Sequence, residues 1–280
     1  MWTEHRLISF DETTLFYRRC EAEPSKRGTV IVLHGMGEHG GRYESLAKFL
    51  SGRGLEAVIP DLRGFGRSGG NRACVRRFHD FHEDLKAIHE FVARNQKGLP
   101  LFLLGHSFGG LVASSYLAYC DRPHLNGLVL SSPIFGIAVP IPKWRHFFGI
   151  ACSYLAPDYS QATRVRPESL THDTELLAYY KEDPYIYQKI SARLYRELVG
   201  MMKRRFDIAG RIRVPVLVAQ AGEDAVVDKD ETVRFFNSLA SADKELELYS
   251  SFYHEILNET GREAVYKRIG DWILRHIDHN

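Results

Sequence analysis

The sequence has little that would staple it covalently or anchor it in a membrane. Its four cysteines, Cys20, Cys74, Cys120 and Cys152, lie far apart among 280 residues, with no Cys-x-x-Cys and no histidine at zinc-ligand spacing beside them. That excludes a disulfide framework or a zinc module and points to reduced thiols in a cytosolic protein. No apolar run approaches the roughly 18 residues of a membrane span. The opening MWTEHRLISF lacks the basic region and long apolar core of a signal peptide, so the expectation is a soluble, cytoplasmic chain. Charge of one sign is not in excess either. The net charge is +2 with scattered basic residues, which argues against nucleic-acid binding, and RRF at 76–78 and KRRF at 203–206 read as solvated helix faces. No internal repeat, no low-complexity linker and no His-Glu-x-x-His occur.

What is present suits one large domain or a domain carrying an insertion: 44% of the residues are hydrophobic and 26% charged. HRLISF and TLFYRR flank Asp11-Glu12-Thr13 as an antiparallel hairpin. Buried strands are then expected at 28–35, 54–61, 101–104, 126–132 and 214–222, with a further strand at 245–250. Helices are expected at 42–54, 78–96, after Ser107, at about 229–240 and from about 260 to 277. The second of these places Phe81, Leu85, Ile88, Phe91 and Val92 on one face. The alternation predicts an α/β fold, an eight-stranded and mostly parallel sheet with helices on both faces.

One segment does not fit a connection. Residues 133–212 fall between the sixth and seventh strands, and they are rich in proline and aromatics. They read as a helical cap, with 1–132 and 213–280 forming the core. Within the cap, Trp144, Phe147, Phe148, Ile150, Tyr154 and Leu155 make an aromatic stripe at helical spacing. Most of that stripe is expected to pack the cap onto the body, and its surplus to line an acyl tunnel or touch a membrane surface.

Two chemistries compete for the motifs. GMGEHG at 35–40 follows a strand and precedes a helix, and Asp61 ends the next strand, as in a dinucleotide site with its ribose carboxylate. GFGRSG at 64–69 repeats the glycine pattern, and Tyr185-x-x-x-Lys189 resembles a reductase pair. A nicotinamide oxidoreductase is therefore a rival, although it leaves His34 and everything around Ser107 unexplained. The alternative centres on Gly105-His106-Ser107-Phe108-Gly109. A serine on a tight strand-to-helix turn needs neighbours without bulk, and the following helix points free N–H groups at the site. A hydroxyl is a poor nucleophile without a base. In this logic an acid and then a histidine follow on loops after later strands, giving Ser107, Asp224 and His254 as a triad. Asp228, expected to cap a helix, and Glu223 are the other candidate acids. His79 and His82 read as a polar helix face rather than metal ligands, and His34 and His106 as braces for the site's loops.

With these residues in hand, the chain resembles the monoacylglycerol lipase and lysophospholipase branch of the α/β-hydrolases. HGMGEHGGRYESLAKFL, PDLRGFGRSGG, GHSFGG, AGEDAVVD and FYHEILNE stand where that family has its blocks, and SLTHDTELLAYYKEDPYIYQKIS looks like its DP segment. The resemblance implies Ser107 as nucleophile, His254 as base and Asp224 as orienting acid. It implies Met36 and Phe108 as oxyanion-hole donors, and Glu38 and Arg42 as residues lining the polar end of the pocket or pinning the glycine loop. The resemblance is less specific for substrate; the apolar surplus of the cap points to a lipid ester with a single acyl chain and to peripheral contact with membranes, and the triad mechanism needs no metal or organic cofactor. A general carboxylesterase, an aminopeptidase and a non-catalytic binding module share the same scaffold.

Overall fold

The computed structural model describes residues 1–96, 98–120 and 124–278. The chain begins with the hairpin of β1 (Trp2–Ile8) and β2 (Thr14–Cys20). β3 (Gly28–Leu33), α1 (Glu44–Ser51), β4 (Leu55–Pro60), α2 (His79–Asn95), β5 (Leu101–His106), α3 (Phe108–Tyr119) and β6 (Gly127–Ser131) follow. The helix expected over 42–54 is shorter, because Gly40–Tyr43 forms a 3-10 turn ahead of it and Gly54, at φ +79°, lies beyond its end.

The segment after β6 contains α4 (Lys143–Leu155), β7 (Ser160–Ala162), α5 (Thr174–Glu182), β8 (Lys189–Ser191), α6 (Ala192–Lys203) and α7 (Arg205–Arg211). The chain then returns to the body with β9 (Val216–Ala221), α8 (Lys229–Ser238), β10 (Lys244–Tyr249) and α9 (Arg262–Asp278).

Eight strands pair in the order β1-β2-β4-β3-β5-β6-β9-β10, and β7 and β8 make a separate ribbon. β1, β2 and β4 pair antiparallel, and all later pairs in the large sheet are parallel. The mostly parallel eight-stranded sheet expected from the sequence is therefore present. Alternate side chains of its central strands feed two cores. Ile31, Leu33, Leu101, Leu103, Val216 and Val218 join Phe81, Leu85 and Val112 from α2 and α3. Val30, Val32, Phe102, Leu104, Leu217 and Ala219 join Leu46, Leu50, Trp272 and Ile273 from α1 and α9. A strand covered on both faces is apolar at nearly every position, which is why Val30–Leu33 and Val216–Ala219 read as unbroken runs, with Thr29 and Gln220 the buried polar exceptions.

The inserted segment is built differently. Ser191 caps α6 by accepting from the Leu194 amide, and Leu194, Leu198 and Met202 recur every fourth residue on its buried face. α4 contacts α6, where His146 Nδ1 lies 2.8 Å from the Tyr195 hydroxyl. The rest of α4 departs from expectation. Trp144, Phe147, Tyr154 and Leu155 are 68, 69, 69 and 88% exposed, so this stripe does not pack the helix down. α6 supports α4 from one side, and only Ser153 of α4 is fully buried.

A second correction concerns α2. His79 is exposed and meets Glu83 at 2.9 Å, but His82 is buried and bonds the Ser115 hydroxyl at 2.8 Å, so only His79 belongs to a polar face. Among the described residues no group of three or more His, Cys, Asp or Glu side chains could hold a metal ion.

Candidate active site

Ser107 occupies the corner between β5 and α3, at φ +51° and ψ −114°. Such a backbone costs on the order of 1–3 kcal/mol for a residue with a side chain. It is held by its neighbours: Ser107 N–H donates to the Ser131 carbonyl at 2.9 Å, and the Ser107 carbonyl accepts from Gly110 at 3.0 Å and Ile134 at 3.1 Å. The flanking glycines are steric necessities. A Cβ at Gly109 would sit 2.3 Å from the Leu33 carbonyl oxygen, and one at Gly105 would sit 2.4 Å from the Gly109 oxygen. The corner thus turns sharply and presents the hydroxyl above the sheet.

Two later loops reach this hydroxyl. His254, on the loop between β10 and α9, places Nε2 3.0 Å from Ser107 Oγ and Nδ1 2.8 Å from Asp224 Oδ2. Asp224 lies just past β9, where its other oxygen accepts from the Val226 and Val227 amides at 2.9 Å each. Asp228 instead caps α8 through the Asp230 and Glu231 amides, and Glu223 is exposed. Asp224 is therefore the acid that meets the imidazole, keeping the proton on Nδ1 and leaving Nε2 to accept from the serine hydroxyl. Burial opposes a charge on His254, but the charge and hydrogen bond of Asp224 outweigh it and raise the histidine pKa. Burial also opposes ionisation of Asp224, yet His254 and the two amides bring its pKa below the ordinary value.

The glycine loop after β3 closes the other side. The Met36 and Phe108 amides donate to no protein group among the described residues, and Met36 and Ser107 border the same cavity. Glu38 Oε1 accepts from the Gly35 amide at 2.6 Å and the Tyr43 hydroxyl at 2.7 Å. Glu38 Oε2 accepts from Arg42 at 2.7 Å. Arg42 also grips Glu255 with two hydrogen bonds at 2.8 and 2.7 Å. Glu38 lines the cavity, whereas Arg42 is buried between the two carboxylates. The bracing histidines stand as expected: His34 Nε2 accepts from the Leu62 amide at 2.9 Å, and His106 Nδ1 lies 3.1 Å from the Ser131 hydroxyl. Burial and the nearby His254 push the His106 pKa down to about 4, so His106 is neutral near pH 7.

The same contacts remove the dinucleotide reading. Glu38 covers the Gly35 amide where a pyrophosphate would need free donors, and its carboxylate would repel one. Asp61 is fully buried, paired with Arg18 at 2.6 Å and accepting from the Gly40 amide at 2.8 Å, so it is not open to a ribose. Tyr185 follows the end of α5 and Lys189 starts β8, so they share no helix face.

Three residues of this neighbourhood escaped sequence reasoning. Glu255 directly follows His254 in sequence, but its partner Arg42 lies 213 positions away, so no local pattern marks it. Tyr43 and Asp183 lie in blocks that carry the family resemblance, Asp183 in the DP segment itself, but nothing in the sequence pointed to their partners; Asp183 accepts from His39 at 2.8 Å and ties the inserted segment to the glycine loop.

A cavity of about 200 Å³ opens over Ser107 and His254. Its wall is largely apolar, with Ile134, Ile137, Val165, Leu170, Ile190 and Leu198 among its lining, and it reaches the half-exposed Ile141 and Tyr159.

Comparison with known proteins agrees with this architecture. The family model described as Serine aminopeptidase, S33 matches residues 24–261. Phospholipase YtpA of Bacillus subtilis is 31% identical over 239 residues, which is 85% of this chain and 92% of that protein. The monoacylglycerol lipase of Mycolicibacterium smegmatis is 28% identical over 276 residues, 98% of each chain. Among solved structures, the monoacylglycerol lipase of Paleococcus ferrophilus superposes with a TM-score of 0.85 at 28% identity, covering 94% of this chain and 99% of that one. The chain belongs to the serine aminopeptidase S33 family of α/β-hydrolases and is a serine hydrolase of the lipase and esterase kind.

Proposed function

We propose that the chain hydrolyses carboxylic esters of single-chain lipids, monoacylglycerol or lysophospholipid, through Ser107, His254 and Asp224. The observation that carries this reading is the imidazole of His254, 3.0 Å from the serine hydroxyl and 2.8 Å from the aspartate. His254 takes the Ser107 proton as Oγ attacks the ester carbonyl, and Asp224 stabilises the imidazolium. The oxyanion accepts from the Met36 and Phe108 amides, each such donor being worth about 3 kcal/mol of barrier. Loss of the alcohol leaves an acyl-enzyme, which water attacks with His254 again as base. No metal or organic cofactor enters any step.

Residues 133–212 act as a cap over this site. The apolar wall they share with the body suits an acyl chain, and Glu38 marks its polar end, with Arg42 holding Glu38 from behind. The exposed aromatic face of α4 meets a membrane surface transiently. An aminopeptidase would need a carboxylate free to meet the substrate ammonium; the two carboxylates lining the cavity, Glu38 and Glu255, are both held by Arg42. A release assay tests the reading: monoacylglycerol and lysophosphatidylcholine should be turned over faster than acetate esters, and a preference for acetate or for aminoacyl amides would overturn it.

A further inference from the structure

The cavity carries charge that the ester reaction does not use. Arg145, in the first turn of α4, and Arg164, just after β7, line the same cavity as Ser107 and His254. Arg145 is half-buried, and its guanidinium donates to the side-chain carbonyl of Gln161 at 2.9 Å, which also lines the cavity. Among the described residues neither arginine has a carboxylate within ion-pair distance. The fully buried Arg18 and Arg63 show the usual alternative: each meets aspartate, at 2.6 and 2.5 Å. Arg164 is exposed and held at φ +63°, a backbone region that side chains seldom occupy.

The cavity's charges also differ in exposure. Its lining carboxylates, Glu38 and Glu255, lie beside the catalytic histidine and are bound by Arg42. Its guanidiniums without a carboxylate, Arg145 and Arg164, are half-buried and exposed, and the half-exposed Ile141 and Tyr159 line the cavity with them. The whole inserted segment leans the same way: residues 133–212 hold twelve Lys and Arg against eight Asp and Glu, in a chain whose net charge is only +2. A guanidinium is weakly hydrated, permanently charged and forked, so it recognises phosphate or carboxylate oxygens better than any neutral group.

We infer that Arg145 and Arg164 form an anion-recognising mouth, which selects single-chain esters bearing a phosphate or carboxylate over neutral ones. The inference rests on the ester-hydrolase reading above and narrows its substrate class. A headgroup phosphate and a carboxylate at the far end of the acyl chain present the same chemistry to the two arginines, and they are separable by experiment.

The test compares kcat/KM for four monomeric substrates of one acyl length: 1-acylglycerol 3-phosphate, an ω-carboxyacyl glycerol, lysophosphatidylcholine and monoacylglycerol. The wild-type protein should prefer one of the two anionic esters over monoacylglycerol, and the preferred one identifies where the anion sits. In Arg145→Gln/Arg164→Gln the anionic-to-neutral ratio should fall at least about tenfold, since a hydrogen bond to a charged group carries that much discrimination. Arg145→Lys/Arg164→Lys should restore part of it. Equal rates on anionic and neutral esters, or a ratio unchanged in the glutamine variant, would overturn the inference. Failure of catalysis is read separately: Ser107→Ala protein is titrated with three non-hydrolysable glycerol ethers of one chain length, the alkyl ether of glycerol 3-phosphate, the ω-carboxyalkyl ether of glycerol and the neutral alkyl ether of glycerol. Tighter binding of either anionic ether that disappears in the glutamine variant supports the mouth even if no ester is turned over; equal affinities for all three exclude it.

Discussion

Arg42 grips Glu255 with two hydrogen bonds, at 2.8 and 2.7 Å, and Glu255 is the residue that follows His254. The same guanidinium binds Glu38, whose other oxygen holds the Gly35 amide at the start of the glycine loop. One buried cation therefore ties the loop that carries the histidine to the loop that carries the Met36 amide. Burial opposes its charge, but the two carboxylates raise the Arg42 pKa well above the ordinary value, so it stays protonated.

Breaking this tie from the middle should be costly. Arg42→Met leaves two buried carboxylates facing each other, and loss of one partner from a buried ionic group typically costs about 3–5 kcal/mol. Urea denaturation should show that loss, together with reduced kcat. Neutralising all three in Glu38→Gln/Arg42→Met/Glu255→Gln should recover much of the stability. Equal stability of wild type and Arg42→Met would remove the clamp.

The acid limb of the pH profile reports His254. Only the neutral imidazole accepts the serine proton, and Asp224 raises the pKa above the ordinary 6.5. The fall in kcat/KM toward low pH should therefore centre above 6.5 in wild type. Asp224→Asn should move the limb to lower pH and reduce kcat by about 10⁴. Stability follows the linkage signs. The raised histidine pKa adds stability that is complete below the unfolded value and fades as pH rises through the folded one. The lowered aspartate pKa adds stability that is complete above its unfolded value and is lost as pH falls. The stability difference between wild type and Asp224→Asn should thus be largest between 3.8 and 6.5.

The serine corner has no room for a methyl group. Gly109→Ala drives a Cβ to 2.3 Å from the Leu33 carbonyl oxygen, a contact with backbone rather than with a pliable side-chain tip. Overpacking of this kind typically costs about 1–3 kcal/mol or more. The variant should melt lower and lose most ester turnover, whereas Gly200→Ala, on α6 with open space around it, should keep full turnover and gain about 0.5–1 kcal/mol of stability from helix propensity.

The α4 stripe should govern membrane partition rather than chemistry. Trp144, Phe147 and Leu155 are exposed and none lines the cavity. Replacing all three with serine should weaken binding to phospholipid vesicles by roughly tenfold or more, since each large apolar group contributes about 1.5–3 kcal/mol when fully buried. Turnover of a soluble short-chain ester should stay within about twofold. Unchanged vesicle binding would exclude this face as the contact.

The sheet was legible because strands buried on both faces cannot hide: GTVIVL and LFLL admit no other reading beside their glycine-rich turns. Ser107 and Asp224 were legible for a related reason, since each follows such a strand, whereas His254 follows the half-exposed edge strand β10 and was legible from its place after the last strand. The inserted segment was less so. A stripe such as Trp144–Leu155 looks the same in sequence whether it faces a core or solvent, and only the one-sided support from α6 decides it. Buried charge was the least legible. Nothing local distinguishes Asp61, locked onto Arg18, from a ribose ligand, and nothing in HEI marks Glu255 as the partner of a residue 213 positions away. Long-range ion pairs leave no periodic trace.

The most direct measurement is labelling by a fluorophosphonate, which phosphonylates only a serine whose hydroxyl is activated by a base. The wild-type protein should carry one phosphonate, on Ser107 by peptide mass analysis, and should lose ester turnover in step with labelling. Ser107→Ala should fold, take no label and show no turnover. Undiminished labelling or turnover in Ser107→Ala, or a wild-type enzyme that hydrolyses esters while Ser107 remains unmodified, would contradict the account.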